Sequence, residues 1–107
     1  MLATDLQLGQ LVSSRAGRDA GKMYLVVRID DERFVGVADG EKRTVEEPKR
    51  KNIKHLTVHK HVSHSIQARL ESGGLPANSE IRKELRAFTA LVGEGEKEKG
   101  LPNQQGG

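Results

Sequence analysis

The chain has 107 residues, no cysteine and a hydrophobic fraction of 35%, so it can form one small domain with a modest core. The lack of cysteine excludes disulfide bonds, thiolate metal sites and cysteine nucleophiles. The formal net charge is +3, and the positive charge is concentrated, because residues 42–64 hold seven lysines and arginines, two acidic residues and all four histidines. Such a segment indicates a surface that faces a polyanion.

The start of the chain gives no sign of export. Residues 1–10 have no basic stretch followed by an apolar run, so we expect no signal peptide. No window approaches the roughly 18 consecutive apolar residues of a membrane span. We therefore expect a soluble, cytoplasmic protein without a membrane partner.

Five short segments are predicted to be β-strands, because apolar residues alternate within them and glycine, proline or acidic residues separate them. They are residues 8–16, 23–29, 33–38, 43–46 and 53–62. In the clearest one, Met23, Leu25 and Val27 share a face, and Ile29 continues it. Asp39-Gly40 predicts a type I′ hairpin turn, since both residues tolerate positive φ. Five strands at such close spacing predict a mostly β protein built on a small barrel.

The basic segment and the last strand carry more specific predictions. Pro48 has no N–H for a strand ladder, so residues 48–52 are predicted to form a basic loop. In the last strand we expect one face, with Leu56, Val58 and Val62, to point into the core. The other face would then point to solvent; it holds His55, Thr57, His59 and His61.

After Val62 the composition predicts two short helices. Ser63 or Ser65 can cap the first, which Gly73-Gly74 ends, and Asn78 can cap the second, which Gly93 ends. An apolar stripe on the second helix should pack on its own domain; it comprises Ile81, Leu85, Phe88 and Val92. The predicted organisation is a strand domain over residues 1–62, a helical hairpin over 63–92 and a disordered tail over 93–107, where five charged residues and five glycines leave little to bury.

The basic side chains are candidates for contacts with nucleic-acid phosphates. Closely spaced lysines and arginines reach several phosphates and release their counterions, while neutral side chains add contacts to sugar or phosphate. The candidate RNA-binding residues are Arg15, Arg18, Lys22, Lys42, Arg43, Lys49, Arg50, Lys51, Asn52, Lys54 and His55. A solvated loop that only keeps the protein soluble is the alternative interpretation of this segment.

Enzymatic and metal sites are not predicted. The loop from Gly17 to Gly21 has three intervening residues where a P-loop has four, and Met23 follows Lys22 where a P-loop has Ser or Thr. The histidines have no carboxylate within their segment to orient them around zinc, so we interpret them as exposed residues beside RNA. With no catalytic constellation and no cofactor fingerprint, we expect no enzyme, no cofactor, no metal and no small-molecule substrate.

The aromatic residues bear on the type of RNA. Tyr24, Phe34 and Phe88 are too few and too scattered to form the stacking platform of a single-strand binder. Their scarcity favours folded or duplex RNA that is recognised by its backbone and its shape.

The first strands and their loop resemble the KOW motif, in which a glycine lies in a loop between two apolar strands. The resemblance rests on Gly9-Gln10-Leu11-Val12, Ala16-Gly17-Arg18-Asp19 and Gly21-Lys22. With Val37-Ala38-Asp39-Gly40 and Pro48-Lys49-Arg50-Lys51-Asn52, residues 6–60 look like the bacterial KOW-domain RNA-binding proteins related to a large-subunit ribosomal protein of archaea and eukaryotes.

This resemblance implies an SH3-like barrel of about five strands. It also implies that the protein binds structured RNA, ribosomal RNA or the large ribosomal subunit, through the loop at residues 17–22 and the basic segment. We therefore expect a ribosome-associated or ribosomal-protein-like RNA-binding protein. The alternative is a protein-interaction module of a transcription or translation factor, in which the helical hairpin is a second surface.

Overall fold

A computed structural model of the protein describes residues 6–100, and side chains as far as residue 91. Five strands come first and two helices follow, which confirms the prediction of a mostly β protein with a helical C-terminal part. The elements are β1 Gln10–Ser14, β2 Met23–Ile29, β3 Phe34–Ala38, β4 Lys49–Asn52, a 3-10 turn Ile53–His55, β5 Leu56–Val62, α1 His64–Glu71 and α2 Asn78–Gly100.

The strands form one antiparallel sheet in the order β4-β3-β2-β1-β5. Among the described strands β4 and β5 are the edges, so the sheet does not close into the small barrel that the sequence predicted. The physical reason lies between these two strands. Asn52 ends β4 and accepts a hydrogen bond from the backbone N of Lys54 (3.0 Å), which caps the 3-10 turn. The chain then continues as β5, which pairs with β1 and not with β4, and so forms the opposite edge of the sheet.

Both faces of the sheet are buried. The helices cover one face, where Leu11 and Leu25 pack with Ile66 of α1 and Ile81 of α2. On the other face, Val12, Tyr24, Val26, Val35, Val37 and Leu56 form a second cluster with Leu6. This second cluster joins β5 to β3 although two strands lie between them, which indicates a strongly curled sheet. Bulge-like register shifts in β1 and β2 favour that curvature.

The fourth strand is not where the sequence placed it. Residues 43–46 lie in a loop, and the predicted basic loop contains β4, in which Lys49 and Lys51 pair with Val37 and Val35. Asp39 makes the connection wider than a two-residue turn, because its Oδ1 accepts hydrogen bonds from the backbone N of both Glu41 and Arg43 (2.9 Å each). Pro48 precedes the strand, so its missing N–H leaves the ladder intact.

The predicted faces of β5 are only partly correct. Leu56 is buried, but Val58 is 44% exposed, whereas His59 and His61 are half-buried. The reason is that α2 covers the histidine face, where His61 stacks on Phe88 with 5.3 Å between the ring centres.

The helices begin and pack largely as predicted. Ser63 caps α1, since its Oγ accepts a hydrogen bond from the backbone N of Ile66 (3.4 Å). Ile81 and Leu85 are buried, so the apolar stripe of α2 packs on its own domain. Val92 of that stripe lies outside the described side chains. None of the helices in the described chain combines the length and apolar character that crossing a membrane needs.

Two predictions for α2 were wrong. Asn78 does not cap it: Asn78 is a helical residue, and the first turn closes through Glu80, whose Oε1 accepts from the backbone N of Ala77 (3.0 Å). The helix also passes Gly93 and runs to Gly100, because the glutamates and lysines that follow are good helix formers. Part of the predicted disordered tail is therefore helical, and residues 101–107 lie outside the described residues.

Candidate nucleic-acid interface

The loop of residues 15–22 lies at the centre of the basic residues. Backbone hydrogen bonds close it: the N of Gly21 donates to the carbonyl of Ser14 (2.8 Å), and the N of Lys22 donates to the carbonyl of Asp19 (2.8 Å). Arg15 and Arg18 are exposed on this loop. The loop therefore exposes two guanidinium groups on a backbone that its own hydrogen bonds hold in place.

Three sets of contacts bring the other basic segments to this loop. The backbone N of Arg15 donates to the carbonyl of His55 (2.9 Å). Asp19 forms ion pairs with Lys49 (3.4 Å) and Lys51 (3.3 Å) of β4, and Lys22 pairs with Asp39 (2.7 Å), which begins the turn that leads to Arg43. We call the resulting surface the basic end; it comprises Arg15, Arg18, Lys22, Lys42, Arg43, Lys49, Lys51, Lys54 and His55.

Two lysines of the basic end, Lys49 and Lys51, are paired with Asp19 within the protein. The side chain of Lys51 is only 11% exposed, and its Nζ also lies 3.1 Å from the Oγ of Ser14. Asp19 further accepts hydrogen bonds from the hydroxyls of Ser14 (2.8 Å) and Tyr24 (2.7 Å). Lys49 and Lys51 thus neutralise a carboxylate in a polar network that also holds the loop.

The pKa values in this network follow from these contacts. Burial raises the pKa of Asp19, but the hydrogen bonds from Tyr24, Ser14 and Lys51 outweigh burial and hold the pKa well below its usual range. Burial, together with the hydrogen bond to Asp19, raises the pKa of the Tyr24 hydroxyl. Asp19 is therefore ionised at neutral pH, and its single negative charge offsets part of the positive charge of its two lysine partners.

Lys22 and Asp39 form a second, more open ion pair. The Asp39 side chain is 7% exposed, and its pKa is lowered because Lys22 and two backbone N–H groups outweigh the effect of burial. The Lys22 side chain is 38% exposed, and its Nζ lies 5.6 Å from the centre of the Tyr24 ring. Lys22 can thus face a ligand while it stays bound to Asp39.

The remaining basic residues of this surface are available for a partner. Their side chains are exposed, and within residues 6–91 they form no ion pair. They are Arg15, Arg18, Lys42, Arg43, Lys54 and His55. An anion that binds them would not need to break an internal salt bridge.

Arg50 is not part of the basic end, because alternation along β4 turns it to the opposite face. Its guanidinium lies 3.9 Å from the centre of the Phe34 ring, and its Nε lies 3.3 Å from Asp30, which also pairs with Arg28 (2.6 Å). Asn52 is not free either, since its Oδ1 caps the 3-10 turn. The sequence analysis did not select Arg28, because it is a single charge within an apolar strand.

Within the described side chains, no three His, Cys, Asp or Glu residues are grouped so that they could hold a metal ion. His59 has a neutral neighbour instead: its Nε2 lies 3.0 Å from the Oγ of Ser13.

Comparison with known proteins identifies a bacterial relative. The chain is 39% identical over 71 residues to a protein of Bacillus subtilis (strain 168) that bears the name “Putative ribosome-binding protein YbzG”. The matched stretch is 66% of this chain and 96% of the relative. No protein-family model matches the chain, so its resemblance to KOW domains stays a prediction.

Proposed function

This chain belongs to the same family as the Bacillus subtilis protein YbzG, and from that premise we propose that it associates with the ribosome in the cytoplasm by binding structured RNA through its basic end. The observation that carries the proposal is the gathering of six exposed basic side chains, which form no ion pair within residues 6–91, around one hydrogen-bonded loop. Ribosomal RNA on the large subunit is the partner that the sequence resemblance favours.

The charge arrangement supports an RNA backbone as the ligand. Arg15 and Arg18 lie on one loop, and the backbone N of Arg15 donates to His55, the neighbour of Lys54. Neutralising several phosphates at once releases their condensed counterions. The network around Asp19 fixes the loop before any ligand arrives, so less conformational entropy is lost on binding. A preformed cationic surface of this kind suits a polyanion of defined shape.

The aromatic rings support a structured RNA over a single strand. The chain has three phenylalanine and tyrosine residues and no tryptophan. Tyr24 is buried, Phe34 is covered by Arg50, and Phe88 is stacked on His61. Every ring is engaged within the protein, so none is offered as a platform for an unstacked base.

We also propose that the strand unit is a KOW-type, SH3-like domain and that the protein has no catalytic role. The first part is supported by the glycine-containing loop between two apolar strands, β1 and β2. The second is supported by the sequence, in which no catalytic constellation or cofactor fingerprint is present.

The test is RNA binding across a salt series, with a structured ribosomal RNA fragment, a plain RNA duplex and a single strand. The variant is Arg15→Glu/Arg18→Glu, and its matched control is Lys60→Glu/Arg69→Glu, which changes the net charge equally at exposed positions on β5 and α1. We expect the structured fragment to bind most tightly and the first variant to reduce the salt slope by about two units.

Equal effects of the two double variants would contradict the proposal, because the affinity would then depend only on net charge. Equal and weak binding of all three RNAs would contradict it as well. Either result would favour the alternative, a module that binds protein.

A further inference from the structure

A cleft of about 570 Å³ separates the basic end from helix α2. Lys22 and Asp39 line one wall, Arg82 and Arg86 line the other, and the apolar side chains of Met23 and Leu85 lie between them. Its volume falls within the range of about 300–1,000 Å³ that is typical of ligand sites.

The two walls are held together by direct bonds. The Nη1 of Arg82 donates to the carbonyl of Gly40 (2.6 Å), and the Oδ1 of Asn78 accepts from the backbone N of Val45 (2.8 Å). Leu85 packs in the core beneath them. The cleft is therefore preformed rather than dependent on a ligand to bring α2 close.

The exposed charge around the cleft is mainly positive. The carboxylate of Asp39 is buried against Lys22 and backbone N–H groups, so it presents little negative charge to a ligand. Glu41 is the exposed acid of the lining. The cations that line the cleft include Lys22 and the exposed Arg86. Lys42 and Arg43 are exposed on the adjacent turn.

We propose that α2 is a second RNA-contacting element, and that a segment of sugar–phosphate backbone lies in this cleft with a phosphate between Arg86 and Lys22. This inference rests on the proposed function and extends the site beyond the basic end to a helix that the KOW resemblance does not cover. Arg82, which is bound to Gly40, positions the helix, and the guanidinium of Arg86 contacts the ligand. The protein then grips RNA from two elements, a loop and a helix, joined by the turn at residues 39–43.

The experiment measures affinity for the structured ribosomal RNA fragment across a salt series, with Arg86→Glu, Arg86→Gln and the matched control Arg69→Glu on α1. Arg69 is also an exposed helical arginine, but it does not line the cleft. We expect Arg86→Glu to weaken binding roughly tenfold, with a salt slope about one unit smaller, and Arg86→Gln to lower the slope similarly. Arg69→Glu should change affinity less than about twofold, and thermal unfolding of each variant checks the fold.

A second measurement is independent of charge. A photo-crosslinking amino acid at Ala90, which lines the cleft, should crosslink to bound RNA, and the same group at the exposed Ala68 of α1 should not. If Arg86→Glu behaves like Arg69→Glu and Ala90 fails to crosslink, while Arg15→Glu/Arg18→Glu still weakens binding, the helix proposal is wrong and the proposed function stands. If the wild-type protein does not bind RNA, both are overturned.

Discussion

The Nζ of Lys51 lies 3.3 Å from the Oδ1 of Asp19, a residue 32 positions earlier in the chain. This ion pair ties the β1–β2 loop to β4. Lys51 could contact a phosphate only if its bonds to Asp19 and Ser14 broke. Lys51 lies in the middle of the most basic stretch of the sequence, yet its charge stabilises the fold through Asp19.

Asp19→Asn should destabilise the protein, because the amide keeps the shape but loses the charge that Lys49 and Lys51 offset. We expect the free energy of unfolding to fall by about 2 kcal/mol, the range for hydrogen bonds to charged groups. Urea denaturation at neutral pH measures it. Glu71→Gln, at an exposed position on α1, is the control and should stay within about 0.5 kcal/mol of wild type. Two equal urea midpoints would show that the charge of Asp19 does not stabilise the fold.

The contribution of Asp19 should depend on pH with a definite sign. Because its pKa is lower in the folded protein, its stabilising effect is fully present above the unfolded pKa of about 3.9 and is lost as the pH falls toward the folded pKa. The difference in unfolding free energy between wild type and Asp19→Asn should therefore be constant above about pH 5 and shrink below about pH 4. Urea titrations at several pH values measure this difference, and a gap that widens on acidification would contradict it.

Lys51→Gln and Arg18→Gln each remove one positive charge, but they should have opposite profiles. We expect Lys51→Gln to lower the unfolding free energy by about 1–3 kcal/mol, because it leaves Asp19 with fewer partners. Its RNA salt slope should stay near that of wild type. Arg18→Gln should leave stability unchanged and reduce the slope by about one unit. The same change of slope in both variants would mean that Lys51 does reach the RNA.

Gly40→Ala should be far more destabilising than Gly21→Ala, although both glycines have positive φ (79° and 87°). A Cβ at Gly40 would lie 2.5 Å from the carbonyl of Asn78 and 2.9 Å from the Cγ of Arg82, whereas a Cβ at Gly21 meets nothing within 4 Å. We expect a loss of about 1 kcal/mol at Gly21, from backbone strain alone, and about 3 kcal/mol or more at Gly40, where α2 must shift. Thermal or urea unfolding compares them, and equal losses would exclude the steric contribution.

Local signals were enough to predict part of this fold. β2 has the predicted bounds, because apolar alternation is strong from Met23 to Ile29. The cap of α1 could be predicted because the Ser63 hydroxyl accepts from a backbone N–H only three residues later, so no distant residue is needed. The apolar stripe of α2 likewise follows from spacing alone.

The features that depend on distant partners were not predictable. β4 is a strand because β3 pairs with it, although its own residues are basic and polar. Asn78 has the sequence character of a cap, but the turn at Val45 and Glu46 takes both of its side-chain groups. The same limit applies to the site: composition located the basic segment, but only the position of Asp19 distinguishes a committed lysine from an available one.

Strand β4 is also an edge of the sheet among the described strands, and every one of its four side chains is polar. An edge strand carries unpaired backbone groups on which a second copy of a protein could form an intermolecular sheet. Two copies that approached through β4 would bring Arg50, the most exposed cation of this strand, close to its counterpart in the other copy, and the repulsion between them would oppose aggregation. The segment that most strongly suggests nucleic-acid binding therefore also protects the protein's solubility when no RNA is bound.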